Sequence, residues 1–460
     1  MMTKNRWAIA VAGTIAMICL GTVYSWSLFT QPLIAAFGWS NTTTTWTFAL
    51  AIFFLGVGAI VGGRWQDRRG PRPVAVTGVV LWGIANILAG LGTSRMGAPW
   101  IYLTYGLVGG IGLGLGYVTP VAAVTKWFPD RRGLATGMVV MGFGLGAFLY
   151  NNILKSIPAF AAVAGEAGKV IAARAQGATG MLSDASRGTL MQVFIWSGVV
   201  FAVVGGICAS FMRNPTAELV GARGAPAAPP LAAAAATPTA PAATRTGALV
   251  DYAPAQAMRT PQFWALWAML FLNVTAGILF ISNAVPIMRE LTGAAPATAL
   301  AIYGFIALFN GLGRFFWGAV SDRIGRNMAY LLIYGTQVLI FFLVGGIHAI
   351  WLVTILFAIV LLDYGGGFGT MPSFTADYFG TKYMGVNYGW ILLAWGVGGI
   401  VGPIFVSIVK DRTGTFAGAL PVIAIMLLVS MILPVVTRKP GEKHEGPFYR
   451  GLMRPRRVGA

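Results

Sequence analysis

Apolar runs separated by short polar breaks fill most of this chain, and the runs have a nearly constant length. A bilayer core takes about 20 consecutive apolar residues per helix. Runs of that size fall at Trp7–Phe29, Trp46–Gly63, Pro73–Leu91, Trp100–Val124, Leu134–Leu154, Leu190–Met212, Phe263–Met288, Thr298–Val320, Met328–Ile347, Ala349–Phe374, Val386–Val409 and Gly418–Val436. The pattern predicts an all-α membrane protein with twelve transmembrane helices. Between the sixth and seventh runs the character changes. The stretch GARGAPAAPPLAAAAATPTAPAATRTGALVDYAP is rich in Pro and Ala, shows no apolar periodicity, and reads as a disordered or semi-extended linker. The expected organisation is an N-terminal six-helix bundle over 1–212, a linker over 213–260, a second six-helix bundle over 261–437 and a basic tail over 438–460. The loop Lys155–Gly188 is long and rich in small residues, with room for a short helix.

Composition fits this picture. The chain is 57% hydrophobic and 10% charged, with a mean hydropathy of +0.74, whereas soluble domains carry about 25% charged residues. Its net charge of +19 does not point to nucleic acid, because the basic residues sit in the breaks and the tail. An even number of spans puts both termini on one side. That side collects twenty-three Lys and Arg against eight on the other, which predicts cytoplasmic termini in an inner membrane. The first run lacks a clear small-residue cleavage site and reads as a retained span, not a signal peptide. Cys19 and Cys208 lie inside apolar runs and form no disulfide framework; His348 and His444 show no metal-ligand spacing. The glycines of Gly109–Gly116 imitate a dinucleotide motif but sit inside a span, where they serve helix packing. No metal or cofactor is expected, and no enzymatic chemistry.

The two halves repeat each other. Gly63, Asp67, Arg68 and Gly70 follow the second run; Gly318, Asp322, Arg323 and Gly325 follow the eighth, each 255 positions later. The pairs Asp67-Arg68 and Asp322-Arg323 are expected to make charge contacts between helices on the cytoplasmic side. Duplicated six-span halves mark a transporter, with its site near the midplane between them.

Two charges lie within spans. A permanent cation at mid-helix costs about 2.5–3.5 kcal/mol on insertion scales, so Arg314 is expected to face the bundle interior. Its planar fork suits a carboxylate. The bland reading is a cation snorkelling to the nearby interface. Asn310, four residues earlier, shares its helix face. Asp363 sits near the middle of the tenth span, as a proton acceptor or as the fixed ion-pair partner of Arg314. A neutral Arg314–Asp363 pair would bind an anion poorly, whereas a protonated Asp363 would leave one positive charge for one monoanion.

The glycines and Asp-Arg pairs after the second and eighth runs resemble the loop motif of the major facilitator superfamily. Gly21-Thr22-Val23-Tyr24-Ser25-Trp26, Lys126-Trp127-Phe128-Pro129, Arg259-Thr260-Pro261-Gln262-Phe263-Trp264, Phe309-Asn310-Gly311 with Arg314, and Asn387-Tyr388-Gly389 resemble its oxalate:formate antiporter family, related to the monocarboxylate transporters. The resemblance implies two bundles related by a pseudo-two-fold axis, a small organic anion as partner, and a carrier working as a monomer. It assigns carboxylate binding to Arg314 and an aromatic cage to Tyr24, Tyr117, Tyr364 and Phe368. Trp390 and Trp395 are further aromatics that could line the cavity. Oxalate carriers of that family use a lysine in the eleventh span, where this chain has Trp395. The departure favours a monocarboxylate of the formate, acetate or lactate type, with Asp363 coupling it to protons. Oxalate:formate exchange is the same-class alternative, and a carboxylate sensor without transport the alternative of another class.

Overall fold

The structure is a computed structural model and describes residues 5–216, 250–413 and 418–441. The central part of the linker, the far end of the basic tail and His444 lie outside the described residues. The twelve predicted runs are all helical. They are α1 (Arg6–Phe37), α2 (Asn41–Arg69), α3 (Pro71–Met96), α4 (Ala98–Trp127), α5 (Arg132–Ser156) and α6 (Asp184–Ala209). The second half holds α7 (Pro261–Thr292), α8 (Pro296–Ile324), α9 (Arg326–Leu343), α10 (Ile350–Phe379), α11 (Met384–Thr413) and α12, which breaks at Met431 into Ala419–Ser430 and Ile432–Val436. Among the described residues, ten helices are long and apolar enough to cross a membrane.

Three helices depart from regular winding, α6 in a π segment over Phe201–Gly205. A 3₁₀ turn over Thr22–Trp26 interrupts α1, and a π segment over Tyr102–Gly109 opens α4. The loop Lys155–Gly188 holds more structure than a short helix. Its helix Pro158–Ala175 buries Phe160, Val163 and Ala167, with Phe160 against Phe29 of α1, ring centroids 5.8 Å apart. Arg174 donates to the carbonyl of Ile34 at 3.0 Å and ties that helix to the end of α1.

Within the halves, α2 packs on α4, α3 on α4 and α6, and α8 on α10. Across them, α2 runs along α11 and α5 along α8. Glycine permits these approaches. A methyl at Gly63 would collide with the carbonyl of Gly385 on α11, and one at Gly318 with the carbonyl of Gly133 on α5. Gly70 and Gly325 end α2 and α8 at φ +85° and +90°, a region costly for any residue with a Cβ.

Candidate functional site

Where α2 meets α11, and α8 meets α5, each repeat inserts one aspartate into the other half. Asp67 accepts from the backbone N–H of Gly385 (3.3 Å) and Val386 (2.9 Å), in the first turn of α11. Asp322 accepts from the N–H of Gly133 and Leu134, both 2.9 Å, in the first turn of α5. Unpaired N–H groups and the positive helix end make a first turn a natural seat for a carboxylate. The expected inter-helix contacts are thus made by Asp67 and Asp322, but not by the arginines beside them. Arg68 and Arg323 are exposed and form no ion pair among the described residues. The cations that reach the aspartates are Lys126, 3.8 Å from Asp67, and Arg326, 2.7 Å from Asp322. Sequence adjacency misled here, because neighbouring residues on a helix point about 100° apart and cannot both face one partner.

Deeper between the halves lies Arg314, fully buried on α8. It does not snorkel to the interface. Its Nε lies 3.4 Å from Asn310 Oδ1, and Nη1 lies 3.4 Å from the carbonyl of Val140 on α5. Nη2 has no hydrogen-bond partner. The guanidinium stands over Phe368 at 4.8 Å and Phe143 at 5.6 Å, within the range for cation–π attraction. Gly144 leaves room for it, since a methyl there would come within 3.3 Å of Nε.

Rings from five helices surround this charge. Trp395 of α11 is the hub, with centroids 4.8 Å from Phe368, 5.4 Å from Tyr117, 5.5 Å from Phe143 and 6.0 Å from Tyr24. Tyr364 joins through Phe368 at 5.5 Å. Tyr24, Tyr117, Tyr364 and Tyr388 all lie within electrostatic reach of Arg314. The hydroxyls of Tyr24, Tyr117 and Tyr388, the indole N–H of Trp395 and Arg314 Nη2 are buried and make no well-aligned hydrogen bond, although they lie close to one another, Tyr24 beside Tyr364, Arg314 and Trp395, and Tyr117 beside Tyr388 and Arg314. Burying a polar group without a well-aligned partner costs about 1–3 kcal/mol, so this donor-rich cluster is an expensive feature of the interior.

The structure corrects one pairing. Asp363 forms no ion pair with Arg314. It is buried on α10 and accepts from the indole N–H of Trp317 at 2.8 Å, leaving Oδ2 unpartnered. Trp317 lies three residues beyond Arg314 on α8. Among the described residues, no acid pairs with the positive charge in the cage. Sequence reasoning also missed Phe143, Tyr388 and Trp317 as members. Phe143 is one apolar residue in a glycine-rich span, and only the packing of α5 on α8 singles it out. Trp390, named with the aromatics, makes no ring contact with the cage among the described residues.

Two six-helix halves facing each other across a buried polar cage define a multi-pass membrane carrier of small solutes, not an enzyme. The sequence profile of the Major Facilitator Superfamily matches residues 11–403, and the chain belongs to that superfamily. It is 29% identical over 406 residues to the oxalate:formate antiporter of Oxalobacter formigenes, covering 86% of this chain and 83% of the relative. It is 25% identical over 407 residues to the uncharacterized MFS-type transporter YhjX of Escherichia coli (strain K12), covering 86% of each. In fold it resembles the crystal structure of the transporter FucP in the outward conformation, with a TM-score of 0.64 and 14% identity over 94% of this chain and 98% of that one.

Proposed function

We propose that this protein moves small monocarboxylates by alternating access, with the cage around Arg314 as the anion site. The observation that carries the reading is a cluster of four buried donors, the hydroxyls of Tyr24, Tyr117 and Tyr388 and the indole N–H of Trp395, around Arg314, which pairs with no acid among the described residues. A carboxylate would accept from Arg314 Nη2 and the tyrosine hydroxyls and would neutralise the charge. The guanidinium's fixed fork orients that pairing as a lysine would not. One net positive charge suits a monoanion of the formate, acetate or lactate type. A dianion such as oxalate would lack a second cation, because Trp395 fills the place where the family's oxalate carriers have lysine. The 29% identity to the oxalate:formate antiporter of Oxalobacter formigenes supports a small carboxylate and keeps oxalate:formate exchange as the second reading. The charge distribution of the loops supports cytoplasmic termini in an inner membrane, and the carrier is read as a working monomer.

Counterflow in proteoliposomes tests the site. Arg314→Ala is expected to lower monocarboxylate exchange by about a hundredfold or more, as truncating one partner of a buried charge pair does. Unaltered exchange would remove Arg314 from the site. Asp363, outside hydrogen-bonding reach of Arg314, is the proposed proton acceptor. Asp363→Asn should keep carboxylate counterflow while losing uptake driven by a pH gradient; full retention of that uptake would exclude proton coupling through this residue.

A further inference from the structure

The last three turns of α2 carry a largely exposed surface beside the contact with α11. Ile60, Val61, Arg64, Trp65, Arg68 and Arg69 line one open groove. They form two adjacent rows at helical spacing, Ile60–Arg64–Arg68 and Val61–Trp65–Arg69, each rising from an apolar residue to arginine. The rest of the helix is committed to protein. Gly58 and Gly62 press on α4, and Gly56 and Gly63 on α11. The arginines and Val61 instead face outward, with Ile60 and Trp65 half-buried between them and the protein. Val61 is 53% exposed, and Arg64, Arg68 and Arg69 are exposed as well.

Three guanidinium groups within six residues repel one another, and no acid relieves them. None of the three forms an ion pair among the described residues. The one carboxylate on this turn, Asp67, is directed to the first turn of α11 and to Lys126. The second repeat does not reproduce the patch. The corresponding rows of α8 are Phe315–Ala319–Arg323 and Phe316–Val320–Ile324, which keep the apolar entry but retain a single arginine. Arg68 thus belongs to the duplicated loop motif, whereas Arg64 and Arg69 have no counterpart in the second repeat.

We propose that this stripe is a binding site for an acidic phospholipid, with the headgroup phosphate held by Arg64, Arg68 and Arg69. Arginine matches a phosphate through paired N–H donors. The first acyl carbons lie along Ile60 and Val61, and Trp65 stands at the level where amphipathic rings settle in a bilayer. Basic clusters just beyond a span gain from anionic headgroups in this way. The inference does not depend on what the cage carries.

Native mass spectrometry of the full-length protein tests it, by titration with phosphatidylglycerol and phosphatidylcholine of equal chain length. The wild type is expected to prefer the acidic lipid. Arg64→Gln/Arg69→Gln is expected to bind it about thirtyfold more weakly, roughly fivefold for each charge near an anionic surface. Phosphatidylcholine binding should not change, and Arg323→Gln should retain the acidic lipid. If the double variant fails to fold, Arg69→Gln alone carries the test, with about a fivefold loss. Equal binding of both lipids by the wild type, or an unchanged preference in the folded variant, overturns the proposal. So does displacement of the bound lipid by inorganic phosphate, which would assign the site to a free anion.

Discussion

The contact of α2 with α11 and that of α8 with α5 are the same device built twice. In each, a glycine lets two backbones touch and an aspartate one turn later caps the partner helix. Their surroundings differ. Asp67 has Lys126 at 3.8 Å and no closer cation among the described residues. Asp322 belongs to a chain of charges in which Arg326 bridges to Asp377 at 3.0 Å and Asp377 meets Arg132 at 2.7 Å, joining α5, α8, α9 and α10. Deeper in the same helices the difference is absolute, for α8 carries Arg314 where α2 has Ala59. What is repeated holds the halves together; what is not repeated includes the arginine of the proposed site.

Three substitutions probe that comparison. Asp322→Asn leaves Arg326 buried with a weakened network and should cost about 3 kcal/mol of stability in detergent, in the range for breaking a buried pair. Asp67→Asn loses charge-assisted bonds to two backbone N–H groups but strands only a distant lysine, and should cost about half as much. Equal losses, read as thermal midpoints, would mean that the charge chain adds nothing to the α5–α8 contact.

The smallest effect concerns the segments leading into each half. Trp7 packs on Phe128 in the first half, and Tyr252 packs on Phe379, 251 positions after Phe128, in the second. The polar latch beside them reverses. Arg6 holds Asp130 at 2.6 Å, whereas Asp251 accepts from the backbone of Thr381 and Lys382. Partial burial pushes the Asp130 carboxyl up, but the bonds from Arg6 outweigh it and hold the group below its usual range. The stabilisation is therefore complete above the unfolded value of about 3.9 and fades as pH falls through the lower folded one. Asp130→Asn should cost no more than about 1 kcal/mol, because the pair is partly exposed, and should flatten stability in that acid window. An unchanged acid profile would make the latch a packing contact alone.

Much of this was legible in the sequence. The span pattern gave all twelve helices because lipid imposes a length and a polarity that no tertiary contact overrides. Arg314 stood out for the same reason, and its burial agrees. The partners did not stand out. Asp363 faces Trp317 rather than Arg314, and the guanidinium faces Phe143, because side-chain directions across a helix pair depend on rotation and depth. Neither has a signature in one strand of text. The loop helix Pro158–Ala175 was blurred by its alanine and glycine content, which carries little periodicity. The arginines of the loop motif were misplaced by reading neighbours in sequence as neighbours in space.

One uncompensated charge in a donor-rich cage is proposed to select a monoanion. The most direct test loads proteoliposomes with unlabelled acetate at pH 7 and compares counterflow of labelled acetate and labelled oxalate through the wild-type carrier. Rapid acetate exchange is expected, with oxalate uptake slower by at least tenfold. Oxalate exchanging as fast as acetate, at a fixed pH, would contradict the proposal.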